Sequence, residues 1–221
     1  MEPRGDSQAG PDGGHAAPAP ASTRLPPVTL ASTSPRRREL LGQVIDSFEV
    51  VDSGATELHG TMLPPRALCE ANARRKAMAV SRLRPGHLVL GADTLVFLDD
   101  QPLGKPADMD EARAMLRRLS GRTHAVITGV CLVHQQARRM ACFAEATHVR
   151  FKALGEEVIE AYLRAVPVLD KAGSYALQSH GDWLVERLEG SFSNVVGLPV
   201  ERLREALGSW IVQGTLPPAT P

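Results

Sequence analysis

Three hydroxyl residues and three arginines follow one another in the segment VTLASTSPRRRELL, residues 28–41. The apolar start of this segment is typical of a buried strand, and Ser32, Thr33 and Ser34 end it. Ser34 then suits the cap of a helix and Pro35 its first position. The free N–H groups and positive dipole end of such a helix attract anions, and arginine forks suit phosphate oxygens. The segment therefore predicts a phosphate site.

The same segment also fits ordinary α/β architecture without any ligand. In that reading Arg36, Arg37 and Arg38 form a solvated helix face. Three positive charges in a first helical turn oppose the helix dipole unless an anion is bound. This unfavourable placement favours the phosphate site.

Two acidic residues lie where strands are predicted. Asp93 stands between the apolar runs 87–91 and 95–98, and a buried carboxylate is costly unless it is paired or bound to a cation. Glu57 follows a predicted strand at 48–51 and a turn. Asp93 is therefore a candidate for chemistry, and Glu57 is an acid near a strand end.

Lysine is rare in this chain. Compact ammonium groups reach phosphate as point charges, which a forked guanidinium cannot imitate. Lys105 lies in a loop flanked by Gly and Pro, and Lys171 lies in the polar passage 169–178, which also fits a surface loop. Lys76 lies on a predicted helix, where an exposed helical lysine is the simpler interpretation.

Alternating strands and helices would position these groups. Strands are predicted at 28–31, 48–51, 87–91, 95–98, 123–134, 139–151 and 183–188. Helices are predicted from 35, at 66–83, 108–119 and 155–165, and from 199, with a small-residue turn at 191–198. The order of elements indicates an α/β fold.

Composition limits the class of protein. The 25 Lys and Arg residues balance the 25 Asp and Glu residues, so no basic field exists to hold nucleic acid. No apolar run approaches the roughly 18 to 20 residues of a membrane span. The Pro, Ala and Gly-rich leader 1–27 is expected to be disordered, the tail 214–221 to be flexible, and 28–213 to form the folded domain.

The cysteines Cys69, Cys131 and Cys142 are odd in number and lie in apolar or helical surroundings. This pattern favours buried thiols in a reducing cytoplasm over disulfides or a metal site. We therefore expect a soluble cytoplasmic protein whose partners are small molecules.

Five ordered blocks of the chain resemble the Maf family of nucleoside triphosphate pyrophosphatases, from about residue 28 to residue 207. They are LASTSPRRRELL, GADTLV, GKPADMDEARAMLRRLSGRTHAVITGV, LDKAGSYALQ and EGSFSNVVGLP. The resemblance implies a curved central mixed β-sheet flanked by helices, with two lobes around a nucleotide cleft. It also implies a divalent metal, Mg²⁺ or Mn²⁺, and hydrolysis of a nucleoside triphosphate to the monophosphate and pyrophosphate.

The resemblance assigns roles to single residues. Asp93 matches the family's general base, and Lys105 is expected to act with it in catalysis. Arg36, Thr94 and Gln178 match the positions that separate the branches, and they resemble the branch acting on dTTP and UTP. The 7-methyl-GTP branch carries Trp, Gln and Glu there instead. A neutral Gln amide can donate and accept hydrogen bonds toward a pyrimidine edge.

The remaining positions concern phosphate and metal. Ser32, Arg37, Lys76 and Lys105 resemble the family's phosphate-side groups, and Lys171 is expected to join them. Glu57 and Asp93 are the expected metal contacts. Among the arginines, Arg37 is thus the phosphate ligand, Arg36 helps to select the nucleotide, and Arg38 is solvated.

Three functions stay open at this point. The first is house-cleaning hydrolysis of dTTP, UTP and modified pyrimidine nucleotides. The second is the same reaction on 7-methyl-GTP or other modified purines. The third is a non-catalytic nucleotide-binding regulator of septum formation, which a retained water-activating acid disfavours. A homodimer is a possible assembly.

Overall fold

The computed structural model describes residues 25–60 and 62–213. The predicted tail, and the predicted leader up to residue 24, lie outside these residues. The strands are β1 (Val28–Leu30), β2 (Glu49–Val50), β3 (Leu88–Leu98), β4 (Gln101–Leu103), β5 (Thr123–His134), β6 (Arg139–Phe151) and β7 (Val185–Glu189). The helices are α1 (Pro35–Gly42), α2 (Pro65–Ser81), α3 (Met109–Leu119), α4 (Glu156–Ala165), α5 (Gly181–Leu184), α6 (Phe192–Val196) and α7 (Val200–Gln213).

The seven strands form one mixed sheet. Its order is β2-β1-β3-β5-β6-β7, and β4 pairs with the far end of β3. The strand β1 runs parallel to β2 and β3, whereas β3, β5, β6 and β7 are antiparallel neighbours. The predicted α/β fold with a central mixed sheet and flanking helices is confirmed.

A gap along one edge of β3 creates the cleft. The strand β1 pairs with 88–90 and β4 pairs with 96–98, both on the same edge. No strand of the described chain covers residues 92–95 on that edge, while β5 covers the opposite edge throughout. Asp93 and Thr94 lie in this gap, next to the turn that joins β1 to α1. Functional clefts of α/β proteins lie where neighbouring strands diverge in this way.

Helices cover both faces of the sheet. On one face, α1 and α7 pack over β1 and the first half of β3, and α3 and α4 pack over its second half. Side chains alternate along a strand, so Val89, Gly91 and Asp93 point to the other face, where α2 lies.

Two glycines let α2 lie unusually close to the sheet. A Cβ at Gly91 would overlap the Ala73 carbonyl oxygen, and one at Gly129 would overlap the Cys69 carbonyl. Gly129 is the direct β5 partner of Asp93. The close approach therefore brings the side chains of α2 onto Asp93.

Several predicted elements need correction. Asp93 does not separate two strands, since β3 continues through it from Leu88 to Leu98. The strand expected at 183–188 begins only at Val185, because α5 precedes it. The expected turn 191–198 contains α6, which Ser191 caps by accepting a hydrogen bond from Asn194 N. Short helices without a full apolar period escape periodicity analysis.

The prediction of three free thiols is wrong for two of them. Cys131 and Cys142 are direct partners across β5 and β6 and are joined as a disulfide, whereas Cys69 is a free, buried thiol. Strand register places the pair together, and the spacing of cysteines in the sequence does not reveal register. Burial raises the pKa of the Cys69 thiol to about 12, so it is inert.

Candidate active site

Asp93 is the centre of the site. It lies midway along β3 with 3% of its surface exposed, and it faces α2. Its Oδ1 accepts a hydrogen bond from Lys76 Nζ at 2.7 Å, and its Oδ2 accepts one from Asn72 Nδ2 at 3.0 Å. The buried carboxylate is therefore paired at both oxygens, which offsets the cost of removing it from water.

Lys76 links this acid to a second one. Its Nζ also donates to Glu57 Oε1 at 2.6 Å, from the loop between β2 and α2. The lysine is only 8% exposed, so the interpretation as an exposed helical lysine is wrong. Partial burial would raise the pKa of Glu57, but the hydrogen bond from Lys76 and the charges of Lys76, Lys105 and Arg37 outweigh it and hold that pKa below its usual value.

Arg37 ties three segments together at the gap in β3. Its Nε donates to Gly197 O at 3.0 Å, its Nη1 to Ser32 Oγ at 3.3 Å and its Nη2 to Thr94 Oγ1 at 3.0 Å. Ser34 caps α1 by accepting from Arg37 N, as predicted. Burial lowers the pKa of the Arg37 guanidinium, and the negative charges of Asp93 and Glu57 oppose that shift.

Thr94 belongs to a chain of hydroxyl groups behind the cleft. Its Oγ1 lies 2.9 Å from Thr128 Oγ1, which donates to Asn194 O at 3.0 Å. The predicted specificity residue Thr94 thus contacts the predicted phosphate ligand Arg37 directly. A change at Thr94 would alter the placement of the guanidinium.

These groups share one cleft of about 460 Å³. That volume suits a small-molecule ligand such as a nucleotide. Every predicted site residue except Ser32 lines it, namely Arg36, Arg37, Glu57, Lys76, Asp93, Thr94, Lys105, Lys171 and Gln178. Ser32 lies behind Arg37 and reaches the cleft only through it.

The rim opposite Asp93 is formed by the passage 169–178. Arg36 Nη1 approaches Asp170 Oδ2 at 3.6 Å, across the cleft mouth. Burial alone would raise the pKa of Asp170, but the hydrogen bond from Lys171 and the charge of Arg36 lower it. The Lys171 ammonium is engaged within its own loop, with Asp170 Oδ1 at 2.5 Å and with Pro167 O.

The rim is anchored to the sheet by a buried pair. His124 Nε2 lies 2.8 Å from Tyr175 Oη, and His124 is 2% exposed. Burial lowers the pKa of His124 to about 4, so the imidazole is neutral at physiological pH. The interpretation of His124 as structural agrees with this role, but its link to the rim was not predicted.

Asn72 is the residue of the site that sequence reasoning missed. It stands four residues before Lys76, so the two share one face of α2. The four-residue spacing from Lys76 was the available signal. A single Asn on a helix does not indicate a function, however, until the residues that it contacts are known.

Glu57 and Asp93 are compatible with a divalent cation. Within residues 25–60 and 62–213, no group of three or more His, Cys, Asp or Glu side chains could hold a metal ion. Mg²⁺, however, commonly takes one or two carboxylates and completes its coordination with water and substrate phosphates. Two carboxylates that already converge on one ammonium provide that donor set.

No helix in the described part of the chain is both long and apolar enough to cross a membrane.

Known proteins resemble this chain over most of its length. A "dTTP/UTP pyrophosphatase" of Akkermansia muciniphila is 48% identical over 83% of this chain and 96% of its own. Proteins of the same name from Pelotomaculum thermopropionicum and Salinibacter ruber are 43% and 47% identical, over 81% and 82% of this chain and 94% and 89% of theirs.

The structure of the Staphylococcus aureus Ham1 protein is similar in fold, with a TM-score of 0.52 at 14% identity, covering 83% of this chain and 98% of that one. The family model for Maf-like proteins matches residues 27–210. With that match and relatives above 40% identity, the chain belongs to the Maf family.

Proposed function

We propose that this protein hydrolyses dTTP and UTP to the monophosphate and pyrophosphate. The observation that carries the proposal is the cluster in which Lys76 bridges Asp93 and Glu57 on one wall of the cleft. The names of the relatives support the choice of reaction and substrates. A cytoplasmic location is part of this proposal, because the nucleotides that it would hydrolyse belong to the cytoplasmic pool.

Asp93 takes the proton of the attacking water. Its two hydrogen bonds, from Lys76 and Asn72, fix the plane of the carboxylate before any substrate arrives. A carboxylate held in this way acts as a general base without reorganising. Lys105 lies in the loop after β4 and lines the cleft. Its positive charge stabilises the negative charge that builds up on the leaving pyrophosphate.

Arg37 binds phosphate with the part of its guanidinium that the protein leaves available. Three of its N–H directions are used by Gly197, Ser32 and Thr94. A guanidinium has five such donors, so two are left to grip phosphate oxygens. Lys76 and Lys171 add charge on either side.

Glu57 and Asp93 would hold the Mg²⁺ or Mn²⁺ that the family resemblance implies. Such an ion supplies charge neutralisation and polarises the phosphoryl oxygens.

Arg36, Thr94 and Gln178 select the base. Arg36 and Gln178 line the cleft beside the rim, where a pyrimidine edge can meet an amide that donates and accepts.

A pyrophosphate-release assay over a nucleotide panel tests the proposal. The panel holds dTTP, UTP, dCTP, GTP and 7-methyl-GTP, each with and without Mg²⁺ and Mn²⁺. We expect the highest kcat/KM for dTTP and UTP, only with metal present. Preference for 7-methyl-GTP would replace the substrate assignment, and nucleotide binding without pyrophosphate release would point to a regulator.

A further inference from the structure

Asn72 has no contact with the cleft, yet its side chain is fully used. It is 1% exposed and lies on α2 beneath the site. Its Oδ1 accepts from Leu58 N at 2.7 Å, and its Nδ2 donates to Leu58 O at 3.2 Å and to Asp93 Oδ2 at 3.0 Å. One carboxamide therefore joins β3 to the loop that carries Glu57.

We propose that Asn72 is a positioning residue that sets Asp93 and Glu57 relative to each other. The inference rests on the proposed function, because it assigns Asn72 to the placement of the two acids in that reaction.

The loop needs such an anchor because it has no strand partner of its own. Residues 51–60 form neither helix nor strand. Asn72 pairs with the N–H and the C=O of Leu58 at once, as a neighbouring strand would. Arg75 Nε adds a bond to Thr56 O at 2.9 Å, and Lys76 adds the bond to Glu57. Helix α2 thus holds residues 56, 57 and 58 in turn.

The chemistry of a carboxamide is suited to this position. It supplies an acceptor oxygen and two N–H donors in a fixed plane, and the oxygen and both N–H groups find a partner. Leucine has the same branching at Cγ and a larger volume, and it makes none of these bonds. Aspartate can still accept from Leu58 N, but it can donate neither to Leu58 O nor to Asp93, and it adds a second negative charge beside Asp93. Asn72→Leu therefore removes the loop anchor and the bond to Asp93 together. Asn72→Asp removes the bond to Asp93 and keeps an acceptor for the Leu58 amide.

Asn72 also has a specific relation to Lys76. Both hold Asp93, but Lys76 holds it through Oδ1 and Asn72 through Oδ2. Asn72 is therefore the partner that fixes Oδ2 of the carboxylate. Its loss should therefore lower kcat, where the placement of the acid matters, and leave KM nearly unchanged, since no substrate contact is lost.

The test measures kinetics and amide hydrogen exchange in Asn72→Leu, Asn72→Asp and a control, Ser81→Ala. Ser81 is a fully buried polar residue on the same helix, and among the described residues its hydroxyl bonds only to Met78 O. The control reports what loss of a buried hydroxyl on α2 does to stability alone. Hydrogen exchange of the Leu58 amide reports the anchor directly and needs no activity.

We expect Asn72→Leu to lower kcat about tenfold or more, by loss of bonds to a charged group and to the loop. Its KM should stay within about twofold of wild type. Exchange of the Leu58 amide should become about tenfold faster while the amides of β3 keep their protection. Asn72→Asp should lower kcat as well but leave Leu58 protected. Ser81→Ala should change neither quantity.

Three outcomes would overturn the inference. The first is a kcat for Asn72→Leu within twofold of wild type. The second is a loss of activity in proportion to the unfolded fraction, measured by urea denaturation. The third is a Leu58 amide that stays protected in Asn72→Leu. If that variant does not fold, Asn72→Asp decides, because wild-type kcat or lost Leu58 protection in it contradicts the assignment. If wild-type protein releases no pyrophosphate at all, the proposed function fails, and the exchange of Leu58 still tests the anchor.

Discussion

The two sides of the cleft are built differently. Asp93, on the sheet side, is 3% exposed and paired at 2.7 and 3.0 Å. Asp170, on the rim, has a side chain that is 63% exposed, and it meets Arg36 at 3.6 Å. Buried, multiply bonded groups keep one geometry, whereas exposed ion pairs contribute little to stability and exchange easily.

This difference separates two tasks. The reaction needs atoms placed to a fraction of an ångström, and the buried wall provides that. Entry and recognition of a nucleotide need side chains that can separate and pair again, and the exposed ion pair of the rim provides them. Changes to the wall should therefore reduce kcat strongly, and changes to the rim should alter KM mildly.

Asp93→Asn has the largest expected effect. Loss of the general base should lower kcat by about 10² to 10⁴-fold, since Asn cannot accept a proton. The isosteric amide keeps the volume, but its NH2 group must face either Lys76 or Asn72, both of which are donors, so the melting temperature should fall while the fold is kept. Pyrophosphate release with dTTP and Mg²⁺ measures the effect. Turnover at the wild-type level would show that another group handles the water.

Gly129→Ala tests whether the wall depends on the close approach of α2. The new Cβ would overlap the Cys69 carbonyl opposite Asp93, so α2 must move. Overpacking of this kind costs about 1 to 3 kcal/mol of stability. We expect a lower urea midpoint and a lower kcat together. The matched control is Gly208→Ala on α7, where a Cβ meets nothing within 4 Å. If Gly129→Ala were destabilised but kept its kcat, catalysis would not depend on the close approach of α2.

His124→Gln tests how firmly the rim is tied to the sheet. The pKa of His124 is about 4 in the folded state and 6.5 at its ordinary value, so between these pH values the unfolded chain binds more protons. Stability due to this residue should be complete above pH 6.5 and fall as the pH drops toward 4, by up to about 3 kcal/mol. The variant should lose that pH dependence in urea unfolding. If the free energy of unfolding depended on pH equally in wild type and variant, the assigned neutral state of His124 would be wrong.

Asp170→Asn has the smallest expected effect. Without its ion pair, Arg36 is less well placed, and KM for dTTP should rise by up to about fivefold, the range of exposed ion pairs. The effect should shrink at high salt, since exposed charges are screened, and kcat should not change. Asp99→Asn, which removes the exposed Asp99–Arg122 pair, is the control. A tenfold loss of kcat in Asp170→Asn would place the rim in the chemical step.

Much of this arrangement could be predicted from sequence. The capped start of α1, the apolar face of α3 and the long hairpin of β5 and β6 follow from local patterns, and the structure confirms them. Asp93 was identifiable because a carboxylate inside apolar strands needs a partner. The family blocks then connected it to residues far along the chain.

The rest depends on three-dimensional proximity. Lys76 looks exposed on its helix and becomes buried only because Gly91 and Gly129 let α2 reach the sheet. The disulfide partners Cys131 and Cys142 meet through strand register. The anchor at Asn72 requires a loop to return past the helix. The local periodicity of the sequence does not predict any of these contacts.

The charges that line the cleft have a further consequence. Five basic side chains face three carboxylates, namely Arg36, Arg37, Lys76, Lys105 and Lys171 against Glu57, Asp93 and Asp170. Two positive charges are thus left over, whereas a nucleoside triphosphate carries about four negative charges at neutral pH. About two negative charges of the triphosphate therefore remain uncompensated, which equals the charge of one divalent cation. On the proposed function, electroneutrality favours entry of the nucleotide as its metal complex, so free triphosphate should compete only weakly.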